Sequence, residues 1–494
     1  MRHRHLLFAA ASAASLLATV ATAADATNPS DVEEVIVTGT RTEGRTRLES
    51  LAPVDVISQD ALSKVGISEL NQALSVALPS FNFPRPGLAD GTDTIRPATL
   101  RGLSPDQTLV LINSKRRHSA SLVNVNGTIG RGSSAVDLNT IPSAIVQSIE
   151  VLRDGASAQY GSDAIAGVLN LRLREARSGG NITATYGARL TTVSTLVAPV
   201  PTGANFTVAD KAKYDRTDGE TGTISGWLGL PLGAKGFLTL AGEFVDQKKT
   251  IRTAPDWRQQ YPLIAGAFDP REATFNRYNA WYGEPDISQY TLFANAGADL
   301  TDTTSVYGWA SYQNRDSTSA GFFRRALDDR NISAIYPDGF LPLINPVVED
   351  FSSAVGVKWQ YGEWGMDTSL VFGTNSMDFT IRNTLNRSLG PTSKTVFDAG
   401  GFKYDQLVLN VSGVRTYDAG LNSPLNVAVG VEVRHEGYQI LAGEPDSYRN
   451  GGVLLNGNPT PSGAQVFPGF RPENAVDNDR ISAGAYIDLE ANLT

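Results

Sequence analysis

From Gly179-Gly180 onward the chain is written in a period of two. Leu238, Leu240, Gly242 and Phe244 alternate with Thr239, Ala241 and Glu243. Leu425, Val427, Val429, Val431 and Val433 alternate with Asn426, Ala428, Gly430, Glu432 and Arg434. Ile481, Ala483, Ala485, Ile487 and Leu489 alternate with Ser482, Gly484, Tyr486, Asp488 and Glu490. Successive side chains on a strand point to opposite faces, so each segment has one apolar face and one polar face. A soluble sandwich and a membrane barrel both accept that pattern. Link lengths separate them. Short links near 231–235, 301–304, 362–365 and 419–423 alternate with long ones near 190–220, 253–287, 318–350, 383–403 and 442–479. Barrels in an outer membrane have short turns at one end and long loops at the other, whereas loops this long are uncommon in compact soluble domains. The pattern predicts about ten antiparallel membrane-spanning strands.

Helical crossing is excluded in the mature chain. No window after the N-terminus approaches the ~20 apolar residues that a membrane helix requires. The N-terminus itself has a basic start at Met1-Arg2-His3-Arg4-His5, an apolar run from Leu6 to Val20, and small residues at Ala21-Thr22-Ala23. That is the order of an export signal, predicted over residues 1–23. The chain has no cysteine, which removes disulfides and thiolate metal sites. Its net charge of -9 argues against a nucleic-acid partner.

Between residues 54 and 174 the texture is mixed α and β, with enough apolar residues for a small core. Ser58 is placed to cap a helix of about two turns ending at Gly66, with Ile57 and Leu62 at the two ends of a hydrophobic staple. A second helix after Ser68 puts Leu70, Ala73, Leu74, Ala77 and Leu78 on one stripe before Pro79 stops it. Leu109–Ile112 reads as a short buried strand turned at Asn113-Ser114, and Leu169, Leu171 and Leu173 alternate along another.

Several short motifs occur here in a fixed order. Glu33-Glu34-Val35-Ile36-Val37-Thr38-Gly39 is an extended acidic and apolar segment, followed by the polar stretch Gly39-Thr40-Arg41-Thr42-Glu43-Gly44-Arg45. Thr99-Leu100-Arg101-Gly102-Leu103 and Leu109-Val110-Leu111-Ile112-Asn113 follow. Ile149-Glu150-Val151-Leu152-Arg153-Asp154-Gly155 then runs through Tyr160-Gly161-Ser162-Asp163 to Asn170. Together they resemble the TonB box and plug domain of TonB-dependent receptors, the energised importers of Gram-negative outer membranes. The resemblance implies a TonB box and linker over 24–45, an α+β plug over 46–175 and transmembrane β-barrel strands over 179–494. A lumen that holds such a plug needs about 22 strands, so the ten predicted lead to the expectation of an N-terminal part of a larger receptor.

The family also implies roles. Glu34, Val35, Ile36, Val37 and Thr38 would offer a strand edge to the periplasmic domain of TonB, with alternate side chains setting specificity. Arg101 and Arg153 stand where family plugs carry arginines against wall carboxylates, and alternation makes Glu243 and Glu432 the lumen-facing candidates. The family's ligand is most often a ferric siderophore, although cobalamin, haem, metals and oligosaccharides also occur. Aromatics and arginines in the long loops, namely Trp257, Tyr261, Tyr278, Trp281, Tyr282, Phe322, Arg324 and Arg325, suit flat or anionic ligands, and equally a membrane-interface girdle. The run Lys115-Arg116-Arg117-His118 reads as a solvated turn. No catalytic signature, cofactor motif or metal-binding spacing is found, and Asp477-Asn478-Asp479 is too short for a calcium loop. The partners expected are therefore TonB, a small nutrient ligand and outer-membrane lipid. A signalling transducer, a passive porin and a non-functional truncated product are the competing readings; the first would need an additional domain before residue 33.

Overall fold

The computed structural model describes residue 38 and residues 53–64, 69–125 and 129–492. The predicted signal, and Glu34, Val35, Ile36 and Val37 of the predicted TonB box, lie outside the described residues.

Ser58 caps as its position requires. β1 (Val54–Ser58) runs into α1 (Gln59–Lys64), and the Ala61 amide donates to Ser58 Oγ at 3.3 Å. Ile57 and Leu62 are both buried in one cluster, which is the staple contact. α2 (Leu70–Ala77) buries Leu70, Ala73 and Leu74 on one stripe. Leu78, predicted on that stripe, is buried, whereas Ala77, also predicted on it, is exposed because the helix ends there. β2 (Phe81–Asn82), the single-turn α3 (Thr92–Ile95) and β3 (Thr99–Leu100) lead to β4 (Thr108–Ile112) and β5 (Lys115–Arg116). The link between β4 and β5 is two residues long, with Asn113 and Ser114 both at positive φ, 47° and 64°. Such a turn matches the right-handed twist of the strands it joins. β6 (Val146–Leu152), α4 (Ser157–Tyr160) and β7 (Gly167–Leu173) complete a sheet of order β1-β6-β7-β4-β5, in which β4 and β7 are parallel.

Nine long strands follow, each antiparallel to the next: β8 (Gly180–Leu196), β9 (Lys211–Leu232), β10 (Gly236–Gln247), β11 (Asp286–Asp299), β12 (Thr304–Ala320), β13 (Leu343–Tyr361), β14 (Trp364–Arg382), β15 (Val396–Tyr417) and β16 (Leu425–Ala442). After the two-residue strands β17 (Leu454–Leu455) and β18 (Asn458–Pro459), β19 (Val476–Glu490) pairs with β16 and makes the sheet ten-stranded. β8 and β19 form the two edges of the sheet. The predicted alternation of short turns and long loops holds throughout. The first long loop is shorter than expected, 197–210, because β8 and β9 continue past their apolar stretches. Residues 211–220 are charged and polar, so hydrophobic periodicity does not mark them as strand.

The wall is inverted relative to a soluble protein. Phe244, Leu292, Val355, Val431, Ile481 and Ile487 on its outer face are exposed, whereas Thr239, Thr291, Asn295, Gln313, Ser352, Asn375 and Asn426 on its inner face are buried. Exposed apolar rows of this extent mark a surface made for an apolar medium. Among the described residues no helix is long and apolar enough to cross a membrane.

The inner face is buried against the plug. One hydrophobic cluster runs from Leu74, Ile112, Ile149 and Leu171 of the plug to Ala241, Phe293, Trp309, Ala354, Val371 and Val408 of the wall. A second joins Ile95, Ala120 and Leu122 of the plug to Met377, Phe379 and Phe402, and Phe467 and Phe470 from the loop 443–475 pack against it.

Candidate functional site

The β4–β5 hairpin drives four cationic or basic side chains into the lumen, and each meets the wall or another part of the plug. Lys115 Nζ lies 3.1 Å from Asp367 of β14, whose other oxygen accepts from Tyr307 at 2.6 Å. Arg116 pairs with Asp163 of the plug at 2.5 Å and with Glu432 of β16 at 3.3 Å. Asp163 also takes Arg434 of β16 at 2.9 Å. Burial works to raise the Asp163 carboxyl, but the guanidiniums of Arg116 and Arg434 overcome it and hold the group below its ordinary value. Arg117 forms an ion pair with Asp350 of β13 and donates to Thr140 Oγ1 at 3.0 Å. Asn375 donates to the second Asp350 oxygen at 2.9 Å, and Asn375 in turn accepts from the backbone and hydroxyl of Ser121.

His118 completes the set, with its Nδ1 2.9 Å from the Ser119 carbonyl and its Nε2 3.6 Å from Asp350. Burial first, and the Arg117 charge next, push its imidazole down to about 4, so it is neutral at pH 7. Gly373 makes room for the ring, since a side chain there would collide with it. Toward the long-loop end from these contacts, Arg315 of β12 reaches from the wall into the plug. Its Nη1 donates to Asp137 of the plug at 2.7 Å and to the Thr94 carbonyl at 3.0 Å.

The solvated turn expected at Lys115–His118 is thus corrected: all four side chains are buried. The hairpin inserts into a lumen whose inner faces carry Asp350, Asp367 and Glu432 at the polar positions of the alternation. A dense cationic run that begins on the second strand of a tight hairpin, facing a wall with inward acids, is the signal that could have identified it. The lock predicted through Arg101 and Arg153 differs too. Arg101 is 42% exposed, 3.9 Å from Asp154, and Arg153 pairs with Asp55 at 2.6 Å. Val54 opposite Leu152 sets the register that brings residue 153 beside Asp55 along the plug's own sheet. Glu432 does face the plug, but toward Arg116. Glu243 points inward with Oε2 buried and without a hydrogen-bond partner among the described residues.

Thr38, of the predicted TonB box, is buried in the plug. Its hydroxyl bonds to the Glu150 carboxylate and accepts from Asn170 Nδ2 at 3.0 Å.

At the long-loop end, a cavity of about 560 Å³ opens between the plug loop 85–88 and the wall, lined by Arg85, Arg189, Thr250, Arg252, Tyr282 and Glu284. It shares Arg85 and Arg189 with a deeper cavity of about 280 Å³ that reaches Glu69 and Glu243. Of the aromatic and arginine residues predicted to meet a ligand, Tyr282 lines the upper cavity. Several others tie loops together. Tyr261 is buried and donates to Asp338 at 3.0 Å, Trp281 takes Lys249 over its ring at 4.0 Å, and Arg324 and Arg325 donate to the carbonyls of Phe322 and Gln259 at 2.8 Å. Trp257, Tyr278 and Phe322 are exposed on the loops. Arg85, Arg189 and Glu284, which dominate the cavity's charge, have no local pattern that sets them apart in the sequence.

Residues 46–168 match the family described as TonB-dependent Receptor Plug Domain. The fold resembles a crystal structure of the ferric enterobactin receptor PfeA of Pseudomonas aeruginosa, with a TM-score of 0.56 and 15% identity over 88% of this chain. It also resembles the siderophore receptor PirA of Acinetobacter baumannii, with a TM-score of 0.52 and 16% identity over 90% of this chain. In both cases the chain spans about half of the matched protein, 55% of its length.

Proposed function

We propose that the chain, with its plug domain and the partial barrel that follows, is part of a TonB-dependent receptor that captures a scarce ligand at the long-loop end and imports it actively into the periplasm. The ligand class proposed is a ferric siderophore or similar iron complex, in keeping with the receptors whose fold it shares. Residues 1–23 would direct export, the outer membrane would hold the apolar outer rows, and residues 34–38 would engage TonB.

The observation that carries this reading is how the plug is seated. Arg117 with Asp350 and Arg315 with Asp137 are plug-to-wall ion pairs withdrawn from water inside a wall with an apolar exterior, and the half-buried pair of Arg434 with Asp163 joins plug to wall as well. Such pairs hold strongly while both partners remain, and removing one leaves an uncompensated buried charge. Opening a path past the plug therefore requires work, which a passive pore has no means to supply. A cavity with several arginines at the loop end gives a ligand a place to wait while that work is done.

Deleting residues 31–40 tests the reading. Energised uptake of a ferric siderophore should be lost while cells still bind it at the surface. Uptake that persists at the same rate would mark a passive channel.

A further inference from the structure

The import reading leaves open how the loop-end cavity chooses its ligand, and the inference here rests on that reading. Three guanidiniums and one carboxylate line the cavity. Arg252 is already matched by Asp218 at 2.8 Å. Glu284 is presented by a fixed backbone, since its amide donates to Thr250 Oγ1 at 2.8 Å and its carbonyl accepts from the Thr250 amide at 3.2 Å. From there its carboxylate reaches Arg189 Nη2 at 3.2 Å with either oxygen, and Arg85 Nε at 3.0 Å.

The contact with Arg85 is charge without alignment. Arg85 Nε is buried and makes no hydrogen bond among the described residues. The rest of that guanidinium is well used: Nη2 donates to Glu69 and Nη1 to Gln72, both at 2.7 Å. Glu69 directly precedes α2 and also meets Arg96 at 2.9 Å. Arg85 therefore divides its charge between a loop carboxylate that fits it poorly and a plug carboxylate that fits it well.

We propose that Glu284 is a built-in competitor, an internal carboxylate that a multivalent oxyanion ligand displaces from Arg85 and Arg189. Exchange keeps both arginines paired throughout, which avoids leaving a partly buried charge alone. It also lets a correctly oriented oxygen satisfy Arg85 Nε with a charge-assisted bond. Because Glu284 is tethered, it competes at a high effective concentration. A monovalent anion offers one oxyanion group against that tether and loses. A ligand with several oxyanion groups engages Arg85, Arg189 and Arg252 together and wins. Arg85 holds Glu69 through its other edge throughout, so the exchange at Nε couples occupancy of the loop-end cavity to the residue that precedes α2 in the plug.

The test is calorimetric titration of the full-length protein, purified in detergent, with citrate as a trivalent probe and acetate as a monovalent one. Wild type should bind citrate and not acetate. Glu284→Gln, which keeps the backbone bonds to Thr250, should bind citrate about tenfold more tightly and acquire acetate binding, and Glu284→Asp should fall between. Citrate affinity that is unchanged or weaker in Glu284→Gln would overturn the proposal, as would failure of both proteins to bind citrate. Matched thermal unfolding of the variants verifies that they fold. Neither assay needs TonB, so these outcomes are separate from the uptake result for the 31–40 deletion.

Discussion

Arg315 of the wall and Asp137 of the plug meet at 2.7 Å with 1% of each side chain exposed. Among the described residues no ion pair is further from water, and both partners are further bonded, Arg315 to the Thr94 carbonyl and Asp137 to the Asn139 amide. Replacing Arg315 by Met should leave the buried Asp137 carboxyl without its cation, at a cost of about 3–5 kcal/mol. The double variant Arg315→Met with Asp137→Leu should recover most of that loss. Chemical unfolding of the four members of the cycle measures it, and additive single effects would show that the two residues do not act as a pair.

His118 predicts a pH dependence of definite sign. Its imidazole faces Arg117, Asp350 and the ring of Tyr404, and is held neutral with a value near 4 against 6.5 when exposed. Between those values the unfolded chain takes up a proton that the folded one refuses, so the stability from this group is complete above pH 6.5 and is lost as pH falls toward 4. The full effect is on the order of 3 kcal/mol. Unfolding free energies from pH 7 to 4 should fall less steeply for His118→Gln than for wild type. Equal slopes would remove His118 from the account.

Thr38 links the predicted TonB box to the plug core through Glu150 and Asn170. Thr38→Val keeps the shape and removes the hydroxyl's two bonds, a loss of about 1–3 kcal/mol, while Asn170 continues to donate to Glu150. The N-terminal segment of this variant should be cleaved by protease sooner than in wild type and should crosslink to TonB without added ligand. Unchanged cleavage would mean that this contact does not restrain the segment.

Local rules carried far in some places and failed in others. Ser58, Ile57 and Leu62 form their cap and staple within a few residues, and the ten wall strands repeat one period, so both were legible. The seating of the plug was not. Lys115 finds Asp367 across 252 positions of sequence, and Arg117 finds Asp350 across 233. Nothing near residue 115 records that an acid-bearing wall will surround it, so a cationic run took the reading of an exposed turn. Arg101 and Arg153 failed for a related reason. Position in a motif does not fix where a long side chain points, and the plug's own register gave Arg153 a nearer acid. The cavity at Arg85, Arg189 and Glu284 joins a plug loop to two separate parts of the wall, a juxtaposition visible only in three dimensions.

Leu292 separates a lipid-facing wall from a water-facing one. It lies midway along β11, 60% exposed, between Gly242 and Tyr312 on the neighbouring strands. On the surface of a soluble protein, replacing an exposed leucine by arginine changes stability by about 0.5 kcal/mol or less. At the middle of a bilayer the same substitution costs about 2–4 kcal/mol, because the guanidinium must be drawn out of water into hydrocarbon. Reversible unfolding of Leu292→Arg in phospholipid vesicles should show the larger loss, and the same change at Leu300, in the short link after β11, should be nearly neutral because that end of the strand meets water. A near-neutral result at both positions would show that the outer apolar rows do not face lipid.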